Sequence, residues 1–197
     1  MVYLASPFFN MFEVVVKGNM IEEIEKVFNL EDEDLFDPED SDASEKYGSS
    51  ENRTPQERFE FAKAIYKDNV EGIKKCDTLV FPKFTTDLGT LWEVGFAMGL
   101  GKKIYRYNFL SMELEKVDYK PIEWTTAVRN ERDIATTFDA VIFGILSSNE
   151  KVAPNLVYRF GDAKLTDNLM FAANFKFRNA EGKVIMPKDR DWTGGIL

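Results

Sequence analysis

The feature that most limits this chain is an alternation of two patterns. Short apolar runs closed by proline exchange with longer stretches whose apolar residues recur every three or four positions. Val2 to Ala5 reads as a buried strand stopped at Ser6-Pro7. Phe12, Val16, Met20, Ile24 and Phe28 then recur at every fourth residue, as on one face of a helix. Leu35-Phe36 before Pro38 hints at a second strand. Thr54-Pro55-Gln56-Glu57 forms a capping box with proline in the first turn. Phe59, Ala62, Tyr66, Val70 and Ile73 continue it as a helix to about Lys75. Thr78 to Phe81 is the next strand, Leu88 to Gly101 the next helix, and Lys103 to Tyr107 the strand after it. Strands that alternate with helices predict an α/β chain with a mainly parallel sheet of about five strands, covered by helices on both faces. Further on, Ile134, Phe138, Val141, Ile142 and Ile145 suggest another helix, and Asn155 to Phe160 another strand. At 197 residues the whole chain, 1–197, is expected to be one domain. It would carry an acidic loop at about 31–53 and an extended C-terminal region from about 109.

Two counts remove whole classes of chemistry. There is no histidine, which excludes serine and cysteine triads, histidine-ligated zinc and imidazole proton shuttles. The one cysteine, Cys76, can form neither an internal disulfide nor a CxxC site, and reads as an inert core residue. Catalysis must therefore run on carboxylates, tyrosines, hydroxyls, amides, lysines or arginines. Nine acids and no base lie between Glu31 and Glu45, and the formal net charge of the chain is also −9. The remainder is neutral, so the acids are expected to form a solvated loop that repels nucleic acid. They lack the ligand spacing and turn glycine of a calcium loop. No run of about 20 apolar residues is present for a membrane span. The first residues lack the basic and apolar segments of a signal peptide, which points to a cytoplasmic protein.

Within Leu88 to Gly101 only Glu93 is charged. Its helical neighbours are Gly89, Thr90, Phe96 and Ala97, so no cation stands three or four residues away. Burying such a carboxylate costs several kcal/mol, and a raised pKa is the usual response. Asp87, just before the helix, is a natural N-cap. The glycines at 89, 95, 99 and 101 allow something to approach closely, either backbone or ligand. In open parallel sheets ligands bind beyond the carboxyl ends of the strands. The segments leaving the first and third strands would there bring Tyr3, Phe8, Phe9 and Trp92 into one crevice with Asp87 and Glu93. Flat apolar walls and two carboxylates suit a nucleobase joined to a sugar. A carboxylate pair can break such a glycosidic bond, one attacking the anomeric carbon and the other moving the leaving group's proton.

These stretches resemble the nucleoside 2-deoxyribosyltransferase family. The resemblance rests on Tyr3-Leu4-Ala5-Ser6-Pro7-Phe8-Phe9, on Asp87-Leu88-Gly89-Thr90-Leu91-Trp92-Glu93-Val94-Gly95-Phe96-Ala97, and on Asp167-Asn168-Leu169-Met170. A fourth stretch, Asp68-Asn69-Val70-Glu71-Gly72-Ile73 leading to Asp77, resembles the helix with a sugar-contacting aspartate. The resemblance implies a flavodoxin-like doubly wound sheet. It implies Glu93 as nucleophile, Asp87 as the group that binds the base and moves its proton, and Tyr3 as the hydroxyl that orients Glu93. Phe8, Phe9, Gly89 and Trp92 would line the substrate site, and Asp68 or Asn69 would contact the sugar. Asn168, with Met170 nearby, would reach the site of a neighbouring subunit, which implies a homo-oligomer, a hexamer built from dimers. The substrates implied are 2′-deoxynucleosides and free nucleobases, with no metal and no organic cofactor.

Two other classes fit the same scaffold. In a hydrolase, water would resolve the glycosyl ester. Relatives that cleave nucleoside monophosphates carry a glycine-, serine- or arginine-rich phosphate loop after the first strand. Here that loop is Ala5-Ser6-Pro7-Phe8-Phe9, which favours free nucleosides. A non-catalytic nucleoside sensor would have no need of an unpaired Glu93.

Overall fold

The computed structural model describes residues 1–31, 34–41, 46, 53–119, 134–135, 140–159, 173–178 and 181–189. The first half alternates as expected: β1 (Val2–Leu4), α1 (Met11–Phe28), β2 (Leu35–Phe36), α2 (Pro55–Lys75), β3 (Thr78–Pro82), α3 (Leu88–Gly99) and β4 (Lys103–Asn108). Asn10 caps α1 and Thr54 caps α2, each through a reciprocal box with the glutamate three residues on. The strand order is β2-β1-β3-β4-β5, where β5 is Glu113–Lys116. The first four strands are parallel and β5 runs antiparallel to β4.

Strand alternation divides the core between two faces. Val2, Leu4 and Val80 join Val16, Met20 and Ile24 of α1 on one side of the sheet. Tyr3, Ala5 and Leu79 face the other side, with Ile73 of α2 and Trp92 and Phe96 of α3. This period of two is what sends the Tyr3 side chain toward α3 rather than toward α1. The order also reverses between β1 and β3, since α1 covers one face and α2 and α3 the other. The loops leaving the carboxyl ends of β1 and β3 therefore flank the position where such sheets bind ligands.

The C-terminal part departs from the expected pattern. Ile134 is not helical: Ile134–Ala135 is a strand, β6, and the helix α4 covers only Ala140–Ser147. The apolar spacing matched a helix there, but Ile134 and the two threonines after Ala135 are β-branched. The strand expected from Asn155 starts later. Pro154 opens a 3-10 turn, Ala153–Asn155, and β7 is Val157–Arg159. β7 belongs to a second sheet, ordered β6-β7-β8-β9, with β8 at Lys176–Arg178 and β9 at Val184–Ile185. Phe138 and Phe160 lie outside the described residues.

Of the described acids in the acidic stretch, Glu31, Asp34, Glu39 and Asp40 are exposed, while Asp37 is largely buried against α1. Lys17 of α1 is buried, 6% exposed, and its Nζ lies 2.7 Å from Asp37 Oδ2 and in contact with Glu39 Oε2. Asp37 in turn caps a 3-10 turn, Pro38–Asp40, by accepting from the Glu39 N–H. The segment that carries β2 is thereby fastened to α1.

Candidate active site

Glu93 is 6% exposed, on the face of α3 turned toward β1. Its Oε1 accepts two hydrogen bonds, from the Tyr3 hydroxyl at 3.1 Å and from Asn69 Nδ2 at 2.8 Å. Tyr3 comes from β1 and Asn69 from α2, so three separate elements meet at one carboxylate oxygen. Burial pushes the Glu93 pKa up to about 8, and the charge of Asp87 adds to the rise. The bonds from Tyr3 and Asn69 work in the opposite direction, because they favour the ionised form. Tyr3 is itself held well above its ordinary range, first by burial and then by Glu93. Its ring lies flat on Phe36 of β2, with centroids 5.3 Å apart and planes at 12°. Phe36 packs against Gly72 of α2, where an added Cβ would come within 2.6 Å of the ring.

Asp87 is the N-cap of α3, as its position suggested. One carboxylate oxygen accepts from the Thr90 N–H at 2.6 Å. Burial raises its pKa, against the hydrogen bonds from Thr90 and from the backbone of Gly89. Gly89 thus stands beside the Asp87 carboxylate at the start of the helix. Phe8 and Phe9 lie on the loop after β1, 37% and 63% exposed, with ring centroids 5.4 Å apart. The Lys17 ammonium sits 5.1 Å from the Phe8 ring centroid.

One expectation changes. Trp92 is not a wall of an open crevice, because it is fully buried under α4. Its Nε1–H donates to Ser147 Oγ at 3.3 Å, and its ring stacks on Phe96 at 4.9 Å. Of the two alternatives for the glycines, backbone approach holds at Gly95, against α4, and at Gly99, against Ile145 and Ser148 at its end. A Cβ at Gly95 would collide with the Val141 carbonyl oxygen, and one at Gly144 of α4 with that of Trp92. The close approach is backbone on backbone. Between the two residues considered for the sugar contact, Asn69 is buried and reaches Glu93, whereas Asp68 is half-buried. Asn168 and Met170 lie outside the described residues.

Reading the sequence alone missed the Lys17–Asp37 pair and the stacking of Phe36 under Tyr3. The only trace of either was the Leu35-Phe36 dipeptide. Among the described residues no group of three or more histidine, cysteine, aspartate or glutamate side chains is arranged to hold a metal ion. No described helix is long and apolar enough to cross a membrane.

A family model described as nucleoside 2-deoxyribosyltransferase matches residues 2–170 of the chain. The mostly parallel five-stranded sheet agrees with the flavodoxin-like fold of that family. Neither the curated proteins nor the solved structures include a match.

Proposed function

The chain belongs to the nucleoside 2-deoxyribosyltransferase family, and from that premise we propose that it exchanges the base of 2′-deoxynucleosides through a covalent intermediate on Glu93. Membership of the family supports glycosyl transfer on nucleoside substrates. The observation that carries the finer reading is the carboxylate of Glu93, buried on α3 and met by two neutral donors.

The chemistry follows from these groups. The Glu93 carboxylate forms a bond to C1′ of the deoxynucleoside as the C1′–N bond breaks. The bonding electron pair leaves with the base, which takes a proton from the Asp87 carboxyl. The sugar is then held as an ester of Glu93. A second base attacks C1′, the C1′–O bond to Glu93 breaks, and the incoming base returns its proton to Asp87. Two inversions give net retention and ping-pong kinetics. For the first step Glu93 must be ionised and Asp87 protonated. At rest burial keeps a proton on Glu93 up to a pH of about 8. The hydrogen bonds of Tyr3 and Asn69, which favour the ionised form, lower the cost of moving that proton to Asp87 for the first step. Phe8 and Phe9, exposed on the loop after β1, are the flat surfaces proposed to stack on the base. The assembly is proposed to be a homo-oligomer in which Asn168 and Met170 of a neighbouring subunit reach the sugar.

Incubation of the purified protein with thymidine and free adenine tests this reading. Deoxyadenosine and thymine in equal amounts are expected. Thymine with free 2-deoxyribose and no deoxyadenosine would replace transfer by hydrolysis. No turnover of thymidine or of deoxyinosine, with binding retained, would point to a sensor.

A further inference from the structure

The face of Glu93 is built from three directions. β1 supplies Tyr3, α2 supplies Asn69, and the start of its own helix supplies Asp87. Asp37 and Cys76 act one step further out, on Tyr3. No cation is among the groups that act on Glu93 within the described residues. Its anionic form is thus opposed by burial and by a neighbouring carboxylate, and supported by two neutral donors. Of these, Tyr3 belongs to the expected machinery, whereas the amide at 69 has a different chemistry from the carboxylate sought there. A carboxylate at 69 could not donate to Glu93. An amide turned toward a carboxylate has one attractive orientation, with its NH₂ toward the oxygen.

We propose that Asn69 is a positioning residue for the nucleophile: with Tyr3 it fixes Oε1 of Glu93 and leaves Oε2 as the oxygen that attacks C1′. The assignment rests on Glu93 being the nucleophile, as proposed above. Both donors converge on Oε1, at 2.8 Å and 3.1 Å, so the carboxylate plane is held from two elements while Oε2 takes neither bond. The sugar forms its new bond to the free oxygen, and the ester carbonyl that results, Oε1, still faces two donors. The same two donors receive the negative charge when the ester is later broken. Asn69 is 4% exposed and sits in the middle of a 21-residue helix, so this geometry is a property of the folded chain and not of a loose side chain.

The test is the pH dependence of kcat and KM for base exchange in wild type, Asn69→Ala and Asn69→Asp, with Glu93→Gln alongside. Removing one hydrogen bond to a charged group is expected to lower kcat by about ten- to a hundredfold at neutral pH. KM is expected to move much less, because the bond acts on the nucleophile. The ascending limb of kcat should shift to higher pH in Asn69→Ala. It should shift further in Asn69→Asp, where a second carboxylate faces Glu93, and part of the lost rate should return in alkali. Asn69→Asp is close to isosteric and decides the matter alone if the alanine variant does not fold. Two outcomes would overturn the clamp: wild-type kcat in both variants, or reduced kcat with the limb unmoved. If instead Glu93→Gln keeps wild-type turnover, the nucleophile assignment fails, and the clamp with it. An inactive Glu93→Gln beside unshifted Asn69 variants overturns the clamp alone.

Discussion

Two ionisable side chains of this protein are each 6% exposed, Lys17 on one side of the sheet and Glu93 on the other. Lys17 has two counter-ions, Asp37 and Glu39, and the ring of Phe8 close by. Its pKa is raised; burial acts to lower it, but the bonds to Asp37 and Glu39 outweigh that. Among the described residues no counter-ion acts on Glu93. It has neutral donors and a like charge, and its pKa stands near 8. A buried charge that is paired keeps one protonation state and fastens two segments together. A buried acid without a counter-ion is poised between two states, which is what a group that must gain and lose a bond to carbon needs.

The largest expected effect is on turnover. Glu93→Gln keeps the volume and the donors' acceptor but cannot form the ester, so base exchange should fall by a factor on the order of 10⁴ or more. The same variant should change how stability depends on pH. Unfolded, Glu93 loses its proton near 4.5; folded, it keeps it to about 8. Between these values the folded state holds more protons, so this group's contribution is full below about 4.5 and declines as pH rises to about 8. The gap corresponds to about 5 kcal/mol as an upper bound. Urea unfolding at pH 5 and at pH 8 should therefore show wild type losing stability across the interval and Glu93→Gln losing much less. Equal slopes in the two proteins would place Glu93 in contact with water and dissolve the contrast with Lys17.

Lys17→Met should do the reverse. It keeps the aliphatic stem but leaves the largely buried Asp37 without its cation. A loss of about 3 kcal/mol is expected, as for other broken buried pairs. The contribution of Lys17 is present below its unfolded pKa of about 10.5 and lost only as pH rises through the higher folded value. The deficit of Lys17→Met should thus be the same at pH 5 and pH 8, measured by the same unfolding curves. A deficit that changed across that interval would mean that Lys17 shares the titration of the site.

The contrast also explains what could be read beforehand. Glu93 was legible because the signal is local: one charge in an apolar helical stretch, with Asp87 placed to cap it. The alternation of β1 to β4 with three helices was legible for the same reason, since periodicity and capping boxes are short-range. Lys17 and Asp37 stand twenty residues apart, and each looks like an ordinary surface charge until the fold brings them together. Trp92 was misread because its environment is α4, a helix some fifty residues further on. Only that contact shows why Gly95 and Gly144 have no side chains. β5 was missed because it is an edge strand with alternate charges, and Glu115 there holds Lys83 and Arg106.

A third buried polar group extends the comparison to the uncharged case and gives the smallest expected effect. Ser147 Oγ accepts from Trp92 Nε1 at 3.3 Å and donates to the Phe143 carbonyl at 2.7 Å. The serine is 7% exposed, and the indole it holds is fully buried, one residue before Glu93. Ser147→Ala removes the acceptor and leaves the indole N–H without its partner, at a cost of about 1–2 kcal/mol. The long 3.3 Å separation argues for the lower end. No proton is gained or lost by either group between pH 5 and pH 8, so the deficit should be constant across that range. Turnover should persist, because Trp92 faces α4 and not the carboxylate. If Ser147→Ala instead depressed kcat as strongly as it depressed stability, the packing between α3 and α4 would be setting the position of Glu93. The nucleophile would then be held from behind by a neutral bond as well as from the front by Tyr3 and Asn69.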